Sequence, residues 1–233
     1  MGPREFKDGV FEQLSRVAAA FSSPKRVEVI ELLAQSPRSV ESIAEVTGMT
    51  FANTSRHLGI LRTSGLVTSR RDGLHVIYRL ADATVATGYQ ALRTLAESRL
   101  AEVRHLAEAF FGAIDDAEPV GIEELLERAQ AGDVTVIDVR PRLEYDAGHL
   151  PGAISIPLDE LSERMEEIDS EREVVAYCRG PYCVLSAQAV NQLRTRGRAA
   201  RRFIGGPLEW GASGLPVVAA PTVDVATPAA SSH

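Results

Sequence analysis

The chain of 233 residues is poor in cysteine: it has two, Cys178 and Cys183, and both stand in its second half. Two thiols so close together make a poor disulfide framework and a plausible redox or sulfur-transfer pair. No long uncharged apolar run occurs, so no membrane span is expected. The first residues, Met1-Gly2-Pro3-Arg4-Glu5-Phe6-Lys7-Asp8, set charges on both sides of Phe6 and lack the apolar core of a secretory signal, which makes the cytoplasm the expected compartment. What remains is ordinary for a globular protein: hydrophobic residues are 45% and charged residues 24%, enough to bury a core, over a length that suits two domains.

The net charge of -7 is unevenly spread. Residues 1–112 hold 14 Lys+Arg against 12 Asp+Glu, and the remainder 11 against 20. Residues 50–79 carry 5 Arg and one Asp, with His57 and His75 beside them. An acidic total therefore does not exclude nucleic acid, because the local field is what steers an anion.

Apolar positions at helical spacing mark residues 10–20 and 24–35, with Ser22-Ser23-Pro24 between them and Pro24 suited to a first helical turn. Gln35-Ser36-Pro37-Arg38-Ser39 reads as a turn, and Ser39 caps a short helix Val40–Val46. Gly48-Met49 breaks the chain before Thr50, the N-cap of a helix Phe51–Thr63. Then the period changes: Leu66–Arg71 and Leu74–Leu80 flank Asp72-Gly73, the signature of a β-hairpin. Two short helices followed by a basic hairpin make a winged helix-turn-helix. A long helix from Ala83 to Phe111 carries Val85, Tyr89, Leu92, Leu95, Val103, Leu106 and Phe110, an apolar surface that is expected to meet a helix of a second subunit.

Pro24-Lys25-Arg26-Val27 with Ile30-Glu31-Leu32-Leu33, Thr54-Ser55-Arg56-His57-Leu58, Ser64-Gly65-Leu66-Val67, and Arg70-Arg71-Asp72-Gly73 with Tyr78-Arg79-Leu80 together resemble the ArsR/SmtB family of bacterial winged-helix repressors. The resemblance implies a homodimer that binds double-stranded operator DNA and releases it when an effector arrives. On the helix 51–63, Thr54, Leu58 and Leu61 share an inward face, leaving Asn53, Ser55 and Arg56 to read base edges, with His57 grouped beside them; Arg70, Arg71 and Arg79 of the wing are expected on phosphate. Metal-sensing members place Cys, His or acidic ligands before the recognition helix or on the long dimer helix. Here the first place, Ser42–Gly48, has no cysteine, and the second offers His105 and Glu108, too few ligands for a metal site. No metal and no cofactor are expected.

In the second half, Asp115-Asp116-Ala117-Glu118-Pro119 reads as an acidic linker. A helix Ile122–Ala131, a strand Val134–Arg140, a short strand Ile154–Pro157, a helix Leu158–Ile168, a strand Val174–Tyr177, a helix 184–196 and a strand Ala200–Ile204 follow. Such alternation indicates a parallel α/β sheet with its site beyond the carboxyl ends of the strands, where Cys178 falls. Ile137-Asp138-Val139-Arg140, Glu144-Tyr145, Gly148–Ile154, the loop Cys178–Cys183, Gly205-Gly206, Trp210 and Gly214–Val217 together look like a rhodanese domain. That resemblance implies a sulfurtransferase-type fold in which Cys178 carries a persulfide. The amides of residues 179–183, Gly180 and Tyr182 among them, would cradle an anion. Arg179 is expected to hold the sulfur substrate or the anion, and Cys183 is either a small buried residue or a resolving thiol. Asp138, Arg140, Glu144 and His149 read as structural hydrogen-bonding groups, and Trp210 as core. Related phosphatases and arsenate reductases place an arginine further along this loop; the chain has Val184-Leu185 there, which favours sulfur over phosphate or arsenate.

The fold expected is therefore multidomain: a mainly α winged helix-turn-helix domain for DNA binding and dimerisation over 1–112, a linker 113–119, an α/β rhodanese-like domain with a parallel sheet over 120–218, and a disordered tail 219–233. The function expected is a repressor whose operator binding responds to sulfane sulfur or redox state at Cys178, with a small sulfur donor or acceptor as its other partner. The alternatives are a thiosulfate or persulfide sulfurtransferase with an accessory DNA-binding domain, and a metal-responsive repressor using His105 and Glu108.

Overall fold

The computed structural model describes residues 1–114 and 118–220. Most of the linker core and the tail from Pro221 on lie outside these, so the expectations for both are left there.

The N-terminal domain is built of α1 (Pro3–Phe21), α2 (Pro24–Gln35), β1 (Arg38–Ser39), α3 (Val40–Thr47), α4 (Phe51–Thr63), and the hairpin β2 (Val67–Asp72) and β3 (His75–Leu80). Capping chemistry sets the helix-turn-helix. Ser39 accepts from the Ser42 amide at the start of α3, Gly48 ends it at φ 64°, and Thr50 accepts from the Asn53 amide to open α4. Val29, Ile30, Leu33, Ile43, Leu58 and Leu61 form the core beneath. The segment read as a turn through Ser39 contains a strand instead, because Arg38 and Ser39 find free ladder positions opposite Tyr78 and Ile77 of β3. The hairpin loop is Gly73-Leu74, one residue later than expected, since Asp72 pairs with His75 and Gly73 takes φ 58° at the first loop position.

The long helix expected over 83–111 is two: α5 (Ala83–Arg99) and α6 (Ala101–Ile114), separated by Leu100 at φ -113°, ψ 104°. Tertiary packing breaks it, for α6 turns back onto the second domain. There Phe111 is buried under the Arg202 guanidinium, 4.2 Å from its ring centre.

The second domain runs α7 (Ile122–Ala131), β4 (Val134–Asp138), α8 (Arg142–Ala147), β5 (Ile154–Ser155), β6 (Glu173–Tyr177), α9 (Leu185–Thr195), β7 (Ala200–Arg202) and α10 (Pro207–Ala212). The four strands form one parallel sheet in the order β5-β4-β6-β7. One apolar cluster, with Ile137, Val174, Ala176, Cys178, Val190 and Leu193, and a second, with Leu125, Val136, Val175, Phe203 and Trp210, fill the two sides. The helix expected over Leu158–Ile168 is turns and a single 3-10 turn, Met165–Glu167. There Arg164 is held by Glu160 and Glu167, and Leu161 and Ile168 point into the core. Among the described residues no helix is long and apolar enough to cross a membrane.

Candidate functional site

Cys178 follows directly on β6, and the loop to Cys183 closes where Cys183 N donates to Gly180 O at 3.1 Å. The Cys178 sulfur is fully buried, 3.3 Å from both the carbonyl oxygen of Cys183 and Oγ of Ser186. The backbone can come this close only because residue 206 is glycine: a Cβ there would lie 2.4 Å from Cys178 O. Both thiols are free, and they are unlike. Burial, and then the neighbouring Cys183, push the Cys178 thiol well above its ordinary value. Cys183 is brought down to about 7, first by the hydrogen bond from Cys178 and then, against burial, by the backbone amides of Arg179 and Leu185. Cys183 is thus the more acidic of the two thiols. The amides of Arg179 and Leu185 bond the Cys183 sulfur, and that of Ser186 bonds the Cys178 sulfur. Gly180 is buried in the loop, and Tyr182 is partly exposed at its tip, donating from its hydroxyl to Glu97 at 2.7 Å.

Arg179 is paired with a carboxylate of its own domain. Its guanidinium grips Glu144 through Nε at 3.0 Å and Nη2 at 2.7 Å, and a fully buried carboxylate is where a bidentate arginine gains most. Glu144 is held from the other side by Arg38, a residue of the DNA-binding half whose side chain is 4% exposed. Beside them Asp138 and Arg140, both fully buried, pair through Nε at 2.9 Å and Nη2 at 2.5 Å. Arg140 Nη1 also reaches across to Oε1 of Gln35 at 2.9 Å, while Nε2 of Gln35 donates to Arg179 O at 3.4 Å. At the rim, Arg93 of α5 meets Glu209 at 2.7 Å. Sequence reasoning found Asp138, Arg140 and Glu144 as structural groups but missed Gln35, Arg38, Arg93 and Glu209. No local pattern marks side chains whose partners lie about a hundred positions away. His149 stacks on Tyr145, ring centres 3.7 Å apart, with Nδ1 2.8 Å from Tyr145 O, away from the cysteines' partners.

On the DNA-facing side, Asn53 and Arg56 are exposed on α4 and joined to each other, Arg56 Nη2 donating to Asn53 Oδ1 at 3.1 Å. Ser55 is half-buried beside them, and Arg70, Arg71 and Arg79 are exposed on the wing. His57 does not belong with this group. Three residues on from Thr54, it shares the inward face, is 8% exposed, and burial, followed by the charge of Arg56, lowers its pKa. His105 and Glu108 are exposed on α6, and no group of three or more His, Cys, Asp or Glu that could hold a metal occurs among the described residues.

A capped helix-turn-helix with a basic wing, joined to a parallel sheet that ends in a paired-cysteine loop, defines a DNA-binding regulator with a sulfurtransferase-like module. The model of the bacterial regulatory protein arsR family matches residues 23–69, and that of the rhodanese-like domain residues 121–213. HTH-type transcriptional regulator Rv0324 of Mycobacterium tuberculosis is 43% identical over 216 residues, 93% of this chain and 95% of the relative. The chain belongs to the arsR family of bacterial transcriptional regulators, in the form that carries a C-terminal rhodanese-like domain. Its second half is 36% identical over 98 residues to a sulfurtransferase of Allochromatium vinosum, 42% of this chain and 91% of that one. The solution structure of the homodimeric winged helix-turn-helix DNA-binding domain of a possible ArsR-family regulator from Mycobacterium bovis is 35% identical, with a TM-score of 0.40 over 43% of this chain and 91% of that one.

Proposed function

We propose that this regulator represses in the cytoplasm as a homodimer on operator DNA, and that sulfane sulfur taken up by Cys178 alters its hold on the operator. The observation that carries the reading is the placement of Cys178 at the carboxyl end of β6, in a loop with a second free thiol and beside the Glu144–Arg179 pair that Arg38 of the winged-helix half also holds. The Cys178 thiol gives its proton to solvent, and its sulfur attacks the terminal sulfur of a polysulfide. The donor's S–S bond breaks, its shortened chain leaves with the electron pair, and Cys178 is left as a persulfide. Asn53, Ser55 and Arg56 read bases, and Arg70, Arg71 and Arg79 contact phosphate.

Operator affinity, titrated by fluorescence anisotropy with and without a polysulfide donor, tests it. Wild type is expected to lose about tenfold or more in affinity on sulfur loading, the scale of an ordinary coupling energy, and Cys178→Ser to be indifferent. An unchanged wild-type affinity sinks the sensing reading.

A second reading, an enzyme first, draws on the likeness to the Allochromatium vinosum sulfurtransferase. It expects thiocyanate from thiosulfate and cyanide, abolished in Cys178→Ala, with operator affinity indifferent to sulfur.

A further inference from the structure

The cysteine loop is held by the DNA-binding half of its own chain. Gln35, the last residue of α2, bonds the carbonyl of Arg179, the residue next to Cys178, and also the buried Arg140. Arg38, three residues on, meets the same Glu144 that Arg179 grips. Arg38 Nη1 also donates to Oγ of Ser42 in the first turn of α3, at 3.0 Å, and its backbone stands opposite Tyr78 of the wing strand β3. Its neighbour Ser39 caps α3. One residue therefore touches the sulfur-loop clamp, the first helix of the helix-turn-helix and the wing.

We propose that Gln35 and Arg38 are positioning residues of the sulfur site, forming a latch that closes the winged-helix domain on the cysteine loop and relays the loop's state to α3 and the wing. The latch regulates the site of the proposed function and rests on that reading for its second arm only. The Cys178 sulfur is fully buried in the core cluster and the loop backbone is pressed on Gly206, and close-packed interiors respond to an added atom by displacement. The loop must shift, carrying the Arg179 carbonyl off Gln35 and its guanidinium off the carboxylate shared with Arg38. By linkage, sulfur loading and latch closure oppose each other, and whichever latch state fits the operator is disfavoured or favoured accordingly.

The experiment uses the full chain with Arg38→Gln and Gln35→Met. In both, Glu144 keeps Arg179 and Arg140 keeps Asp138, and thermal unfolding checks that both fold. The first arm measures iodoacetamide alkylation of Cys178 by peptide mass spectrometry, without DNA. Opening of the latch is expected to raise the rate about tenfold in either variant, the scale of a lost charge-assisted hydrogen bond, and Arg38→Lys to recover part of the difference. Rates within twofold of wild type in both variants overturn the latch. The second arm compares operator affinity with and without polysulfide: a wild-type response that survives intact in Arg38→Gln overturns the relay. If wild type itself does not respond, the sensing reading fails, while the alkylation arm still decides the latch.

Discussion

Cys183 sits in the loop as the more acidic of two thiols, and its environment gives it a test of its own. Only the thiolate is alkylated, so its rate follows the thiolate fraction. With the thiol brought down to about 7, the Cys183 rate should rise through pH 7 and level off by pH 8, where an unperturbed cysteine, near about 8.5, is still climbing. Replacing Cys178 by alanine removes the largest cause of the depression and should move the midpoint upward. A rate-pH profile by mass spectrometry checks both; a wild-type midpoint above 8 contradicts the lowered Cys183 thiol. Arg179 teaches a related lesson. Its position beside the nucleophile suggested an anion holder, and its guanidinium is bonded to a buried carboxylate 35 positions away in sequence.

Where α10 begins, Gly206 presses on the cysteine loop, and its φ of -151° makes no demand for glycine. The demand is purely steric, so Gly206→Ala should destabilise by about 1–3 kcal/mol, as overpacking does, visible as a lower Tm, and should disturb the alkylation of Cys178. The elements themselves were largely legible in the sequence. Ser39 and Thr50 announced their helices through capping, α7 was read to the residue between Ile122 and Gly132, and the alternation of strand and helix indicated the parallel sheet. The misread helices share one cause, tertiary override of a local pattern. Apolar spacing over 83–111 continues across Leu100 because a break there keeps the same kind of face on both pieces. Residues 158–168 carry helix-forming side chains, yet Leu161 and Ile168 are claimed by the core from a non-helical path. His57 went to the wrong face because it was grouped with its neighbours in sequence, whereas the helical step from Thr54 already assigned it inward.

Taken as a molecule, the chain leaves an apolar stripe in search of cover. Phe6, Val10, Leu14 and Val17 on α1 are between 41% and 58% exposed, and Leu95 of α5 is 56% exposed, more contiguous apolar surface than a monomer usually shows. A second copy is the occupant that the proposed homodimer supplies. Leu14→Glu should therefore yield a monomer by sedimentation velocity, with weakened operator binding; a Leu14→Glu protein that sediments as the dimer places the interface elsewhere. The two halves match separate families over separate ranges, and sequence alone invites their expression as independent pieces. The buried carboxylate of Glu144, shared by Arg38 and Arg179, says otherwise. Cut at the linker, each half would surrender something the other was built around: one an arginine left without its counter-charge, the other a buried acid stripped of half its neutralisation. A severed DNA-binding fragment is thus a different object from the same residues in the intact chain, with Arg38 released from Glu144.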